Sequence, residues 1–227
     1  MEELGDHYKK VGNLGTAYKT RGLKSPEITS FLDGIDLSKH IEPNAKVLEV
    51  GCGAGNLLTD LQDTFGVECY GIDRFPIPTE KSTTLNIITG DAGNIPLPNN
   101  FVEFAVSYFT FQYIPDKLKA LSEIYRVLKI GGTGIVDFDN LDIDQNDDTR
   151  LIDRCTRPSL DTIMDIYSSN KDKISSSRVN IYSDKGWQIR RSRRLLINKK
   201  DNNPLHFPEL KHFTTDKCGF PLALSYY

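Results

Sequence analysis

The stretch Val47-Leu48-Glu49-Val50-Gly51-Cys52-Gly53-Ala54-Gly55-Asn56 constrains the fold of this chain more than any other. A short apolar run ends in glycines at alternate positions, and Leu57-Leu58-Thr59-Asp60-Leu61 then reads as helix. Glycine reaches backbone conformations closed to other residues, so a strand, glycine turn and helix in succession can bring bare N–H groups up to a bound molecule.

Similar short apolar runs recur downstream. Strands are expected at Lys46–Val50, at Val67–Ile72 closing on Asp73, at Leu85–Thr89 closing on Gly90-Asp91-Ala92, at Phe101–Ser107 and at Thr133–Phe138. One helix should run from the glycines to about Phe65, where Gly66 stops it. Another should span Asp116–Leu128, where Leu118, Leu121, Ile124, Tyr125 and Leu128 recur at helical spacing before Gly131-Gly132. Strands alternating with helices predict a parallel α/β sheet buried on both faces. Before this core, Ser25 and Pro26 open a helix from Glu27 to about Leu37. After it, Asp148 to about Ser168 looks helical, with Pro158 interrupting. Arg178–Tyr182 and Trp187–Ile197 read as a hairpin around Ser183-Asp184-Lys185-Gly186.

At 227 residues the chain is long enough for one domain with a sizeable core. No run approaches the roughly 18 apolar residues of a membrane span. The start, Met1-Glu2-Glu3-Leu4-Gly5-Asp6, lacks a basic region followed by an apolar one, which argues for the cytoplasm. Cys52, Cys69, Cys155 and Cys218 show no C-x-x-C spacing, so free thiols are expected and no metal site. Residues 1–150 carry 14 Lys+Arg against 23 Asp+Glu, whereas residues 151–227 carry 14 against 8. This gives two differently charged faces, or a basic wall that steers an anionic acceptor. Arg190, Arg191, Arg193 and Arg194 suggest a nucleic-acid patch at first sight. On a strand, however, they alternate, Arg190 and Arg194 on one face and Arg191 and Arg193 on the other, which favours a solvated hairpin. Trp187 and Leu195 are expected in the core.

Acids close successive strands. Ligands of an open parallel sheet sit outside the carboxyl ends of its strands, where the strand order reverses. The glycine turn, Asp73, Asp91 and Ser107 would all lie there. Asp73 can accept both hydroxyls of a ribose, and Asp91 followed by the small Ala92 suits an adenine edge. A dinucleotide fingerprint needs G-x-G-x-x-G/A, but the last place, counted from Gly51, is Asn56. Glu49 just before the turn suits a cation and would serve a pyrophosphate poorly. S-adenosylmethionine carries a sulfonium and an ammonium and no phosphate.

On these residues the chain resembles the class I S-adenosylmethionine-dependent methyltransferases, specifically the small-molecule group that includes the ubiquinone/menaquinone-biosynthesis enzymes. The matching pieces are Val47 to Gly55, Gly71-Ile72-Asp73, Gly90-Asp91-Ala92 with Ile95-Pro96-Leu97-Pro98, Phe101–Ser107, Tyr113-Ile114-Pro115-Asp116, and Glu123-Ile124-Tyr125-Arg126-Val127-Leu128-Lys129-Ile130-Gly131-Gly132. They cover about residues 44–138 in the right order and spacing. The resemblance implies a Rossmann-like, mostly parallel seven-stranded sheet with helices on both faces and the last strand antiparallel. It implies one domain: an N-terminal lid or helical segment (1–43), a cofactor-binding core (44–138) and a substrate-side portion (139–227).

It also implies roles. Gly51, Cys52 and Gly53, with Gly55, would form the loop against the methionine moiety, and Glu49 would lie at its base. Asp73 would hold the ribose, Arg74 would lie beside the adenine, Asp91 and Ala92 would contact it, and Ser107 would line the methionine end. Tyr18 and Arg21 would belong to the lid, Arg21 pairing with the cofactor's carboxylate. The family's Lys-Pro-Gly-Gly is here Lys129-Ile130-Gly131-Gly132. Phe111-Gln112-Tyr113 stands where a histidine pair is common, and no Asn-Pro-Pro-Tyr motif follows strand four. His206 and His212 are candidate bases or ordinary tail residues, and no catalytic residue is assigned. The expected activity is methyl transfer to an O, N or C atom of a small molecule. The alternatives are an RNA or protein methylase, suggested by the basic C-terminal third, and a cofactor-binding homologue without catalysis.

Overall fold

Strand β1 (Lys46–Val50) sends successive side chains to opposite faces of a sheet, and a helix covers each face. The computed structural model describes residues 31–76, 81–114, 116–140, 166–182 and 185–207. Within them lie α1 (Asn56–Phe65), β2 (Glu68–Asp73), β3 (Asn86–Thr89), β4 (Val102–Ser107), α2 (Lys117–Val127), β5 (Leu128–Asn140), β6 (Ile174–Tyr182) and β7 (Gln188–Asn198). On one face Leu57, Leu58 and Leu61 of α1 pack with Val47, Cys69, Phe104, Val106 and Ile135. On the other, Leu121, Ile124 and Val127 of α2 pack with Leu48, Val50, Ile72, Ala105 and Val136. Each such fully buried leucine contributes about 1.5–3 kcal/mol.

The seven strands form one sheet in the order β3-β2-β1-β4-β5-β7-β6. From β3 to β5 all neighbours are parallel, and β7 alone runs against its neighbours β5 and β6. This is the expected doubly covered, mostly parallel sheet with an antiparallel last strand. The order reverses between β1 and β4, so the carboxyl ends of β1, β2 and β4 converge on one crevice.

Caps set the helix ends. Gly55 (φ 73°) precedes α1, and Gly66 (φ 63°) ends it by donating its N–H to Gln62 O. The Asp116 carboxylate caps α2 by accepting the Lys119 N–H at 2.9 Å. That helix was expected to close at Gly131-Gly132, but it ends at Val127. The Asn100 and Phe101 amides take the carbonyls of Arg126 and Val127, so the chain passes directly into β5. Val102 pairs with Leu128 and Phe104 with Thr133, so the intervening residues bulge, with Gly131 at φ 85°.

Other expectations need correction. The helix expected to reach Leu37 gives way after Phe31 to a turn over Leu32–Gly34 with Gly34 at φ 74°. A short 3-10 turn, Leu37–Lys39, follows, capped by Asp36. The helix expected from Asp148 is helical over residues 166–169; its earlier part, like residues 27–30, lies outside the described residues. Leu195 is core, but Trp187 is 73% exposed. It precedes β7 and stands beyond Ser192, the last β7 residue paired with β5, so nothing in β5 lies beneath it. The basic run is split: Arg193 is buried, Arg191 is exposed, and Arg194 donates to Phe31 O and Asp33 O at 2.6 and 2.8 Å. Among the described residues no helix is long and apolar enough to cross a membrane.

Candidate cofactor site

Gly51, Gly53 and Gly55 all adopt left-handed backbone, at φ 79°, 51° and 73°. Space as well as conformation demands glycine: a Cβ on Gly51 would lie 2.1 Å from Thr110 Cγ2, and one on Gly55 would lie 2.6 Å from Leu85 Cδ1. The turn is pinned sideways to β2, because the Gly51 and Cys52 amides both donate to Ile72 O, at 2.7 and 3.3 Å.

Asp73 couples this turn to the next loop. Its Oδ2 accepts the Gly53 N–H and its Oδ1 accepts the Phe75 N–H, both at 2.8 Å. Each oxygen retains the capacity to accept a further hydrogen bond. Beyond it, Arg74 Nη2 pairs with Asp91 Oδ2, while Asp91 Oδ1 accepts the Gly93 N–H at 2.7 Å. Partial burial works against ionisation of Asp91, but the Gly93 amide and the Arg74 and Lys119 charges hold its carboxyl below the usual range. Ala92, beside it, is half-buried.

Glu49 is only 6% exposed. Its carboxylate receives the Leu58 backbone N–H from the first turn of α1, and Oε2 has no hydrogen-bond partner among the described residues. Burial, reinforced by the nearby Asp73 charge, pushes its carboxyl well above the usual range. Cys52 is buried against Gly71, and its thiol is likewise pushed far up by burial and then by Glu49 and Asp73. Ser107 is wholly buried, and its hydroxyl donates to Val50 O at 2.9 Å, bracing the end of β1. Tyr18 and Arg21 lie outside the described residues.

The residues after β4 belong to this arrangement, although sequence reasoning passed over them. Thr110 Oγ1 donates to Gly51 O at 3.3 Å. It gets there because Phe109 turns the chain in left-handed backbone, φ 57°, and donates its N–H to Asp137 Oδ2 at 3.0 Å. Ser192 Oγ donates to Asp137 Oδ1. A buried carboxylate inside the apolar run Ile135-Val136-Asp137-Phe138 was the available signal.

His206 sits elsewhere. Its backbone is bonded to the Asn170 side chain, ahead of β6 and at the edge of the sheet where β5 begins, away from the glycine turn. His212 lies outside the described residues. Among the described residues no cluster of His, Cys, Asp or Glu could hold a metal ion.

A sheet of this order, with a left-handed glycine turn after β1 and an acid closing β2, defines a Rossmann-like fold built for a nucleoside cofactor. Residues 48–136 match the family model described as a methyltransferase domain. Over 106 residues the chain is 32% identical to a sterol 4-C-methyltransferase of Caenorhabditis elegans, covering 42% of this chain and 31% of that protein. Over 102 residues it is 32% identical to the demethylmenaquinone methyltransferase of Staphylococcus haemolyticus, covering 41% of this chain and 43% of that one. The chain thus spans less than half the length of these curated relatives. A solved phosphoethanolamine N-methyltransferase 2 of Haemonchus contortus, in complex with S-adenosyl-L-methionine, shares the fold at TM-score 0.57 and 15% identity, covering 73% of this chain and 51% of that one. Residues 48–136 thus resemble a methyltransferase domain, and the chain is similar over that core to the S-adenosylmethionine-dependent methyltransferases of quinone biosynthesis.

Proposed function

We propose that this protein transfers a methyl group from S-adenosylmethionine to an O, N or C atom of a small-molecule acceptor. The observation that carries the reading is Glu49: a buried carboxylate oxygen without a partner among the described residues, at the base of a left-handed glycine turn, suits a cationic ligand. The fit extends along the crevice. Gly51, Cys52 and Gly53 would lie against the methionine moiety, with Asp73 at the ribose hydroxyls and Arg74, Asp91 and Ala92 at the adenine. Ser107 would act from beneath by fixing the Val50 carbonyl. Tyr18 and Arg21 would close over the cofactor from an N-terminal segment (1–43), and residues 139–227 would face the acceptor.

When bound, the sulfonium supplies an already reactive methyl, displaced as the sulfur takes the S–C electron pair. What the chain must add is alignment and exclusion of water. The Gly53–Asp73–Phe75 hydrogen bonds fix the ribose-holding carboxylate relative to the turn. The Thr110 hydroxyl on Gly51 O fixes the turn itself. A nitrogen acceptor needs only a neutral lone pair there, whereas an oxygen acceptor would need a base.

The similarity to a sterol and a demethylmenaquinone methyltransferase supports a small acceptor. So does the fragmentation of the arginine run, since Arg193 is buried and Arg194 is held by backbone carbonyls. The basic C-terminal third would favour an anionic acceptor. A cytoplasmic location fits the free buried thiols Cys52 and Cys69. Incubation with methyl-labelled cofactor and a panel of sterol, quinol and amine acceptors should transfer label to one class. Label appearing only in RNA or protein would contradict the proposal.

A further inference from the structure

Glu49 is placed where a negative charge is poorly supported. It is enclosed by β1, β2, β4 and α1, and among the described residues the groups facing it are few. From α1 it receives one amide, that of Leu58; from β2 come the Asp73 carboxylate and the Cys69 thiol, and from the glycine turn the Cys52 thiol. Its β4 neighbour, Val106, offers no charge. None of these groups is a cation. Burial and a neighbouring carboxylate both favour the neutral acid. Of the two carboxylates, Asp73 has two amide donors and is the better furnished to carry the negative charge. Among the described residues nothing compensates the unpartnered Oε2 of Glu49.

We infer that Glu49 is a proton-coupled cation sensor, holding a proton while the crevice is empty and releasing it to solvent as the positively charged methionine end of the cofactor arrives. This rests on the methyltransferase reading and deepens it. The incoming cation supplies a counter-charge that the described residues lack, so the site would favour positively charged ligands over neutral nucleosides. The balance is simple: one O–H bond of the carboxyl breaks, the proton leaves to buffer, and the carboxylate pairs with the ammonium or the sulfonium.

The test is calorimetric titration of S-adenosylmethionine into the full chain, in buffers of differing ionisation heat, between pH 5 and pH 7. In this range the cofactor's free α-amino group, with an ordinary value of about 7.7–8.0, stays protonated. Release approaching one proton per site is expected, with affinity rising up to about tenfold per pH unit. Glu49→Gln should bind more weakly, release no proton and show a flat pH profile. S-adenosylhomocysteine separates the two cations: equal release identifies the ammonium as partner, and release with S-adenosylmethionine alone identifies the sulfonium. Binding without proton release overturns this inference and leaves the methyltransferase reading standing, as does unchanged release in Glu49→Gln. No binding at all overturns both. Should Glu49→Gln fail to fold, the wild-type proton count decides.

Discussion

Thr110 closes directly over Gly51: its hydroxyl lies 3.3 Å from Gly51 O, and its methyl occupies the space a Cβ on Gly51 would need. The glycine is therefore required twice, by its left-handed φ of 79° and by its neighbour. Gly51→Val should abolish cofactor binding and lose about 2–5 kcal/mol, combining left-handed strain with overpacking. Thermal unfolding should show a drop of roughly 5–15 °C. In Gly51→Ala with Thr110→Gly, part of the stability should return, because the clash is removed and only the backbone strain remains.

Asp73 is predicted to matter more for binding than for folding. Asp73→Asn keeps one acceptor oxygen but would lose the charge-assisted bonds proposed to the ribose hydroxyls. Hydrogen bonds to charged groups are worth about 1.5–3 kcal/mol, so affinity should fall roughly 10- to 100-fold. Equilibrium binding measures this, and a melting temperature changed by only a few degrees separates it from unfolding.

Asp137 should behave in the opposite way. Removing it breaks the hydrogen bonds of the Phe109 amide and the Ser192 hydroxyl to a charged acceptor, each worth about 1.5–3 kcal/mol. Asp137→Ala should destabilise strongly, whereas Ser192→Ala, which removes one donor, should cost less. Denaturant midpoints give the ranking. Because Phe109 carries Thr110 to Gly51, whatever folded Asp137→Ala survives should also show weakened cofactor binding.

Glu49 sets a pH dependence on the empty protein. Its native carboxyl is raised above the ordinary value of 4.5, so its contribution to stability is fully present below that value. It is lost as pH rises through the native value. Glu49→Gln carries no such penalty. Its melting temperature relative to wild type should climb steadily from pH 4.5 upward in the absence of cofactor, and saturating cofactor should erase or reverse the gap. Melting curves across that range check the sign.

The sheet was legible because its residues obey local rules. β1 was located to the residue, as was the end of α1 at Gly66, since an apolar run and a left-handed glycine are sequence signals. The end of α2 was not, because Asn100 and Phe101, distant in sequence, take its last carbonyls and turn Leu128 into strand. Trp187 misled for a related reason: its apolarity is plain, but whether β5 reaches beneath it depends on strand length. In the candidate site, the left-handed glycines and the acid that closes β2 are local sequence signals, and the structure brings them together. Thr110 did not, because its position depends on a phenylalanine in left-handed backbone that nothing local predicts.

The central claim is that the crevice beside Gly51 and Asp73 holds S-adenosylmethionine. Equilibrium dialysis of methyl-labelled cofactor against the purified full chain tests it most directly. Saturable binding at one site per chain is expected, with a dissociation constant between about 1 μM and 1 mM, the usual range for enzyme ligands. Unlabelled S-adenosylhomocysteine should displace the label and NADH should not. Absence of saturable binding at millimolar cofactor, or displacement by NADH, would contradict it.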